Sequence, residues 1–436
     1  MARLLLLEFN EISFESVSHY CSRGLLPHFR QMIEKSGWST TTSEREYEHL
    51  EPWIQWVTAH TGLTFAEHGV FRLGDIVNCD LPQIWEQLEA KGLKVGAICP
   101  MNAKHRLRNP AFFVPDPWTP TDITAPPILR RLAAAVSQAV NDNSQNKVTL
   151  KSALALVAGI VAYANPMNYG RYAKLVAGAG RHSWNRALFL DLLLADIFVR
   201  QVRRTGPHFS SLFLNAGAHI QHHYMFSSAS YAGPLRNPSW YAPPGVDPVL
   251  EVYELYDHIL GMMQRAFPSA RFMVATGLHQ EPYPKETYYW RLKDHAAFLR
   301  RIAVPFVKVD ARMSRDFLLT CGDEHQAVIA ADRLARAVTR DGTPLFEVDN
   351  RGRDIFAMLV YPRDIGKDLL FQIGAEEYSD LSANVAFVAL KNGWHSGIGY
   401  FFDTGVPKGE LPAEFPLTEV PQRIANALNV GSLHAA

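Results

Sequence analysis

The chain has 436 residues, of which 47% are hydrophobic and 20% charged, and this ordinary globular composition excludes an intrinsically disordered protein. Its 43 basic and 43 acidic residues cancel, so there is no overall positive charge to attract nucleic acid or an anionic membrane. Four dispersed cysteines without CxxC spacing favour reduced thiols and a cytoplasmic location.

Apolar runs alternate with helical patterns along the chain, which is typical of a parallel sheet with crossover helices. The leucine run at the start is too short for a signal peptide and is interpreted as a strand. The first predicted elements are strand 4–9, helices 26–35, 53–60 and 81–91, and strand 95–99. The later ones are strand 209–214, helix 249–267, strand 271–275 and helix 323–340.

Residues 123–202 are rich in Ala, Leu and Arg and contain no convincing strand, so they are predicted to form a helical cap insertion. Their most apolar stretch, residues 154–164, is shorter than the roughly 20 residues that a spanning helix needs, and no stable membrane span is expected. The predicted fold is α/β, with a doubly wound, mostly parallel sheet, helices on both faces, and a core formed by residues 1–122 and 203–436.

A histidine-rich segment directly follows the predicted strand 209–214. His219 and His223 are four residues apart, so a helical turn would place both imidazoles on one face, where they could bind one metal ion. Open α/β sheets hold their ligands beyond the carboxyl ends of the strands, which is where this segment lies. A polar surface turn would show the same residues, and this alternative stays open for the segment by itself.

Three other segments place a metal-binding group beyond a strand or between glycines. Glu8 and Asn10 end the first strand, His279 follows the strand 271–275, and His395 lies in a Gly-Trp-His-Ser-Gly sequence. Each histidine alone is more often a structural residue than a ligand. Their shared position after strand ends favours a metal site.

The segment around Glu51 has the features of a helix start. Pro52 is suited to the first helical turn, whose free backbone amides attract an anion. Trp53 and Trp56 are three residues apart and are interpreted as core packing.

The order of these segments resembles the alkaline phosphatase superfamily, in particular its type I phosphodiesterase/nucleotide pyrophosphatase and sulfatase-like branches. The resemblance covers nearly the whole chain outside the insertion, as a divergent member. The matching segments in chain order are Glu8 or Asn10, Leu26-Pro27-His28-Phe29, Gly37, Thr61-Gly62, His68-Gly69-Val70, His219 with His223, Asp257 with Gly261, Thr276-Gly277-Leu278-His279, and His395.

The resemblance implies an alkaline phosphatase-like fold with two metal positions. One would be formed by His219, His223 and His395, and the other by His279 with Glu8 or Asn10 and, as a supplement, Glu51. Pro52 occupies the place of the family's nucleophile, so its neighbour Glu51 is the candidate catalytic residue, ahead of Thr58 and Thr61. Leu278 and His219 replace two of the family's aspartates.

Two functions are compatible with these residues. The first is a metal-dependent hydrolase or transferase that acts on a small anionic phosphoester or phosphodiester, or a sulfate ester. A three-histidine site with an open position suits zinc, which lowers the pKa of bound water to roughly 7, although manganese and iron also bind such ligands. The alternative is a degenerate member that binds a ligand or partner without turnover. No motif identifies the substrate or the oligomeric state.

Overall fold

The computed structural model describes residues 3–141, 150–312 and 315–433. Residues 283–392 form one unit, and the residues through 140, residues 150–282 and residues 393–433 form a larger one. Residues 283–392 were predicted from the sequence to be part of the core, and the pattern of elements there gave no sign of a separate unit.

The strands in the described residues, in chain order, are β1 (Leu4–Phe9), β2 (Ser39–Thr42), β3 (Val95–Ile98), β4 (Phe112–Val114), β5 (Phe209–Leu214), β6 (Arg271–Ala275), β7 (His279–Pro282), β8 (Tyr288–Leu292), β9 (Lys308–Ala311), β10 (Asp316–Thr320), β11 (Ala337–Thr339), β12 (Phe346–Arg351), β13 (Asp354–Leu359), β14 (Phe371–Ile373), β15 (Glu376–Tyr378), β16 (Val385–Leu390), β17 (Gly393–Ser396), β18 (Ile398–Asp403) and β19 (Glu414–Pro416).

The α-helices in the same residues are α1 (Phe14–Ser22), α2 (Pro27–Ser36), α3 (Pro52–Thr61), α4 (Phe65–His68), α5 (Ile84–Ala90), α6 (Pro127–Asn141), α7 (Leu150–Tyr163), α8 (Tyr169–Gly178), α9 (Asn185–Thr205), α10 (Ala216–Tyr224), α11 (Pro248–Ala266), α12 (His295–Arg301), α13 (Glu324–Ala335), α14 (Leu381–Asn384) and α15 (Val420–Leu428).

The larger unit contains an eight-stranded sheet in the order β19-β2-β18-β6-β1-β5-β3-β4. The five strands from β6 to β4 are parallel to one another, and β18 is antiparallel to both of its neighbours. Alternate side chains of β1 enter two hydrophobic clusters, because Leu5 and Leu7 face one side and Leu4 and Leu6 the other. Helices cover both sides, and the predicted α/β fold is confirmed.

The sheet brings three chain segments to one edge. Glu8 of β1 lies beside Phe213 of β5 and Ala275 of β6 in the parallel register. The loop after β1, helix α10 after β5, and strand β7 after β6 therefore begin at neighbouring strand ends.

The predicted insertion is helical in its described part, from α6 to α9. Helix α9 packs on the sheet, since Leu192, Phe198 and Val202 are buried in the same cluster as the odd-numbered residues of β1. Residues 142–149 of the predicted insertion lie outside the described residues. A role for this segment in capping a substrate pocket remains a prediction.

The smaller unit contains a four-stranded antiparallel sheet, β12-β13-β10-β9, a three-stranded sheet, β11-β14-β15, and the pair β8 and β16. Its own hydrophobic cluster includes Phe298, Phe317 and Phe346. The helix expected over 323–340 is shorter than predicted, because Ala337–Thr339 pairs with β14 as a strand.

In the residues that the structure describes, no helix is both long and apolar enough to cross a membrane.

Candidate metal centre

Three side-chain atoms from distant parts of the chain form a small triangle. The Nε2 atom of His222 lies 3.1 Å from Oε2 of Glu11, the Nε2 atom of His395 lies 3.3 Å from the same oxygen, and the two nitrogens are 3.2 Å apart. Among the described residues, this group has the spacing and chemistry to hold a metal ion.

Glu11 enters the triangle through an unusual backbone conformation. It follows β1 by two residues and has a φ of 61°, in the left-handed region that costs a residue other than glycine roughly 1–2 kcal/mol. Its NH donates to the carbonyl of Thr276, and its own carbonyl accepts from Nε2 of Gln221. These contacts hold the turn that directs the buried carboxylate into the site.

His222 is oriented by the way α10 is fixed to helices α9 and α11. The buried carboxylate of Asp191 accepts hydrogen bonds from the NH of Ala216 and the hydroxyl of Tyr256, and that hydroxyl in turn accepts from the NH of Gly217. A Cβ atom at Gly217 would lie 2.6 Å from the side chain of Ile12, so only glycine allows this close approach. The anchored first turn fixes the rotation of the helix, and hence the face on which His222 lies.

His395 comes from β17, which pairs with β7. In this antiparallel pair His395 lies opposite Gln280, whose Nε2 atom donates to Oε2 of Glu11 and to the carbonyl of Ala218. A Cβ atom at Gly393 would lie 2.1 Å from Oε1 of Gln280, so glycine at this position makes room for the amide. The β7–β17 pair therefore supplies His395, which is one of the three triangle residues, and Gln280, which orients the carboxylate of Glu11.

The charge of Glu11 is stabilised by its surroundings. Burial by itself raises the pKa of a carboxylate, but electrostatic attraction to the rings of His395 and His222 and hydrogen bonds with them lower the pKa of Glu11 to well below its ordinary range. The Nδ2 atom of Asn10 also donates to the second carboxylate oxygen at 3.1 Å. Glu11 is therefore a carboxylate that presents lone pairs to the centre of the triangle.

Protons alone do not satisfy all three contacts. A neutral imidazole carries at most one proton on Nε2. If both Nε2–H groups point at Glu11, no donor lies along the contact between the two nitrogens. If one of them points along that contact instead, its ring no longer donates to Glu11. A cation at the centre satisfies all three atoms at once. For ligand bonds of about 2.0–2.1 Å, tetrahedral zinc requires ligand atoms about 3.3 Å apart, close to the observed distances.

Glu51 lies next to the triangle. Its Oε2 atom is 3.7 Å from Nδ1 of His395, and it occupies the position before Pro52, the first residue of α3. This distance is longer than the hydrogen bond by which a carboxylate orients the far nitrogen of a ligating histidine. The residue chosen from the sequence as catalytic is thus close to the triangle.

Glu8 and Asn10 have other hydrogen-bond partners. Glu8 is fully buried, and its Oε1 atom lies 2.8 Å from Nε2 of His60. The Oδ1 atom of Asn10 accepts from the indole of Trp56 at 2.7 Å, and its amide nitrogen donates to Asn215 at 2.8 Å as well as to Glu11. Asn10 therefore supports Glu11, whereas Glu8 belongs to a pair with His60.

The predicted histidines are only partly brought together. His219 and His223 lie on one side of α10 with ring centroids 5.1 Å apart, as their spacing indicated. The Nδ1 atom of His279 lies 2.6 Å from the carbonyl oxygen of Ile398, and its Nε2 atom lies 3.9 Å from Glu281. Of the six predicted ligands, only His395 is in the triangle, and metal binding by the others remains a prediction.

Sequence reasoning missed Glu11 and His222. The rule that selected Glu8 and Asn10, a polar side chain at the end of β1, applies equally to Glu11. His222 is the neighbour of His223, and no local pattern distinguishes the two. The less favoured candidates lie within α3, where Thr61 donates to the carbonyl of Val57 and Thr58 is bonded to His68.

Comparison with known proteins gave similarities of fold only. No protein-family description and no curated protein matches the chain. Phosphonoacetate hydrolase from Sinorhizobium meliloti 1021, solved with phosphonoformate, is 12% identical over 98% of this chain and 96% of that one, with a TM-score of 0.44. Murine ectonucleotide pyrophosphatase/phosphodiesterase 5 is 12% identical over 100% and 96%, with a TM-score of 0.41.

Alkaline phosphatase from the Antarctic bacterium TAB5 is 10% identical over 99% of this chain and 98% of that one, with a TM-score of 0.40. All three proteins are members of the superfamily that the order of segments resembles. At identities and TM-scores this low, the comparisons do not indicate what the site does. The chemistry of the triangle is the observation that bears on the function of the site.

Proposed function

We propose that this chain is a metal-dependent hydrolase of small anionic esters, with Glu11, His222 and His395 as the ligands of one divalent ion. The triangle of ligand atoms at 3.1–3.3 Å is the observation that supports metal dependence. The ester class, a phosphoester or phosphodiester with a sulfate ester as the variant, follows from the resemblance in segment order. Zinc is the preferred ion, with manganese or iron as substitutes.

Each residue of the site has a distinct role in this proposal. Glu11 balances part of the positive charge, and Gln280 fixes the direction of its carboxylate. When bound, a divalent ion acts as a Lewis acid and lowers the pKa of a coordinated water to about 7. Glu51 is beside His395 and partly exposed, and in this proposal it accepts a proton from the attacking water molecule.

Direct attack by water fits the surroundings better than a covalent intermediate. Pro52 has no nucleophilic group, and the Thr61 hydroxyl is bonded within its own helix. The same observations favour a second candidate, a protein that binds a metal and a ligand without turnover. A cytoplasmic location stays a prediction from the dispersed cysteines.

The first experiment measures metal content by plasma mass spectrometry on untagged, unchelated protein. We expect near-stoichiometric metal in the wild type and in His223→Ala, and its loss in His222→Ala. The two substitutions change neighbouring histidines of one helix, so each is a control for the other. Loss of metal in His223→Ala alone would instead favour the ligand set His219, His223 and His395.

The second experiment measures turnover of nitrophenyl phosphate, bis(nitrophenyl) phosphate and nitrophenyl sulfate. We expect activity that chelation abolishes and added metal restores, and that His222→Ala lacks. Bound metal without turnover of any anionic ester would favour the non-catalytic candidate.

A further inference from the structure

Among the residues of α7 whose side chains the structure describes, the exposed ones are all apolar. Leu154, Val157 and Val161 have exposed fractions of 63%, 59% and 76%, and Met167 in the turn after the helix is exposed to 83%. In a helix, residues at positions i, i+3 and i+7 lie in one stripe. These four residues are named the apolar face below.

The apolar face is additional to the side of α7 that packs inside the protein. Tyr163 is buried, and a Cβ atom at Gly159 would lie 2.7 Å from the side chain of Leu132, so this side of the helix is already in close contact. Ala158 is the other fully exposed residue of α7 among those whose side chains are described. The exposed side chains of α7 that the structure describes thus form an apolar patch, and such a patch indicates an interaction surface.

The charged side chains that residues 123–202 expose have one sign among the described residues. Residues 123–202 contain nine basic and three acidic residues, although the whole chain is balanced. The two acidic residues of this segment that the structure describes, Asp191 and Asp196, are buried. The described charged side chains that this segment exposes are therefore all basic: Arg130, Arg131, Arg171, Lys174, Arg181, Arg186 and Arg200.

Two arginines of helix α9 lie beside the C-terminal end of α7. Arg200 donates to the carbonyl of Ala162, and its guanidinium carbon lies 5.4 Å from the ring centre of Tyr163. Arg204 lies close to the same tyrosine. Positive charge thus borders the apolar face directly, at the end nearest Val161 and Met167.

We propose that the apolar face docks on an anionic lipid surface, with α7 lying parallel to the membrane. Aliphatic side chains would enter the boundary between headgroups and acyl chains while the surrounding arginines contact lipid phosphates. A second copy of this chain fits less well, because a symmetric contact would bring arginines against arginines. The balanced net charge conceals this surface, since the compensating acidic residues lie elsewhere.

The test is cosedimentation of the full chain with phosphatidylcholine vesicles that contain or lack phosphatidylglycerol. We expect binding only to the anionic vesicles, weakened by salt. Val157→Asp with Val161→Asp should abolish it. Each of Arg200→Gln and Arg204→Gln should weaken it about fivefold, since one basic residue near an anionic surface contributes about 1 kcal/mol.

Matched controls come from other exposed positions. Val328→Asp, on α13 with an exposed fraction of 58%, and Arg108→Gln, also exposed, should bind like the wild type. Circular dichroism would show that the variants remain folded. The proposal would be overturned if the wild type failed to bind anionic vesicles at low salt, or if the variant with both aspartates bound them equally well. It would also be overturned if the wild type formed a concentration-dependent dimer that this variant lacks. Metal content and ester hydrolysis are measured without vesicles, so this proposal can fail while the proposed function stands.

Discussion

Gln280 lies directly opposite His395 across the antiparallel β7–β17 pair, and its side-chain amide donates a hydrogen bond to the carboxylate of Glu11. One residue thus connects the strand register to the orientation of a proposed ligand. Because side chains alternate between the two faces of a strand, a shift of β17 by one residue would turn His395 away from Glu11 and from Gln280.

Replacing Gln280 by Leu should weaken metal binding without abolishing folding. The substitution removes the donor that fixes Glu11, and loss of such a supporting partner typically costs about 10–100-fold in metal affinity. Titration of the apoprotein with zinc in a competing chelator measures the effect. Glu281→Gln, a substitution at the exposed neighbour on β7, is the control and should leave the affinity unchanged. Equal affinities of wild type and Gln280→Leu would show that Glu11 needs no such support.

Glu51→Gln should separate metal binding from turnover. If Glu51 accepts a proton in the reaction, its amide cannot, and kcat should fall about 10²–10⁴-fold while bound metal stays stoichiometric. Glu48→Gln changes another exposed carboxylate just before α3 and should retain full activity. A loss of metal in Glu51→Gln would instead identify Glu51 as a ligand.

Asp191 should make the protein less stable as the pH rises from about 4 to 7. Burial, which outweighs hydrogen bonds from Ala216, Tyr256 and Asn215, raises the pKa of Asp191 from 3.8 to about 6. A pKa that is higher in the folded state means that the folded state binds the proton more tightly. The stabilisation is complete below the unfolded pKa and is lost as the pH rises through the folded value. A difference of about two pKa units corresponds to roughly 3 kcal/mol.

Urea unfolding of wild type and Asp191→Asn at several pH values between 4 and 7 tests this expectation. Asparagine cannot ionise, so only the wild type loses this stabilisation. The unfolding free energy of the variant minus that of the wild type should therefore rise by roughly 3 kcal/mol between pH 4 and pH 7. A difference that is independent of pH would contradict the raised pKa.

Asp257→Ala should destabilise the protein by about 1 kcal/mol through loss of a helix cap. The Oδ1 atom of Asp257 accepts from the NH of Phe29 in the first turn of α2, whose own N-cap residue, Leu26, has no capping side chain. Asp257→Asn keeps an acceptor and should cost less, as urea unfolding would show. An equal loss in both variants would mean that the cap is not the cause.

The Asp257 and Gly261 pair has a structural explanation. A Cβ atom at Gly261 would lie 2.2 Å from Nε2 of His28, so glycine leaves space for the histidine ring of α2. The pair, which the sequence offered as part of a family pattern, therefore positions α2 on α11.

The sequence by itself determined the frame of the larger unit. Strands β1, β5 and β6 begin and end where their apolar runs predicted, because a buried strand of a parallel sheet is a local, continuous signal. The rule that ligands lie beyond strand ends pointed to the edge of the sheet where Glu11, His222 and His395 meet. The resemblance in segment order pointed to Glu51 beside it. The strands of residues 283–392 were not predicted, because they are short and because β8–β16, β10–β13 and β11–β14 pair across long stretches of sequence.

Only the tertiary structure decided which side chains meet. Glu8, Asn10 and Glu11 all follow the same apolar run, and the left-handed turn at Glu11 selects the last of them. His219, His222 and His223 share one helix, where each residue is rotated by about 100° from the one before it. Asp191 and Tyr256 fix that rotation from other helices, and it is their packing, which no local pattern encodes, that directs His222 toward Glu11 and His395.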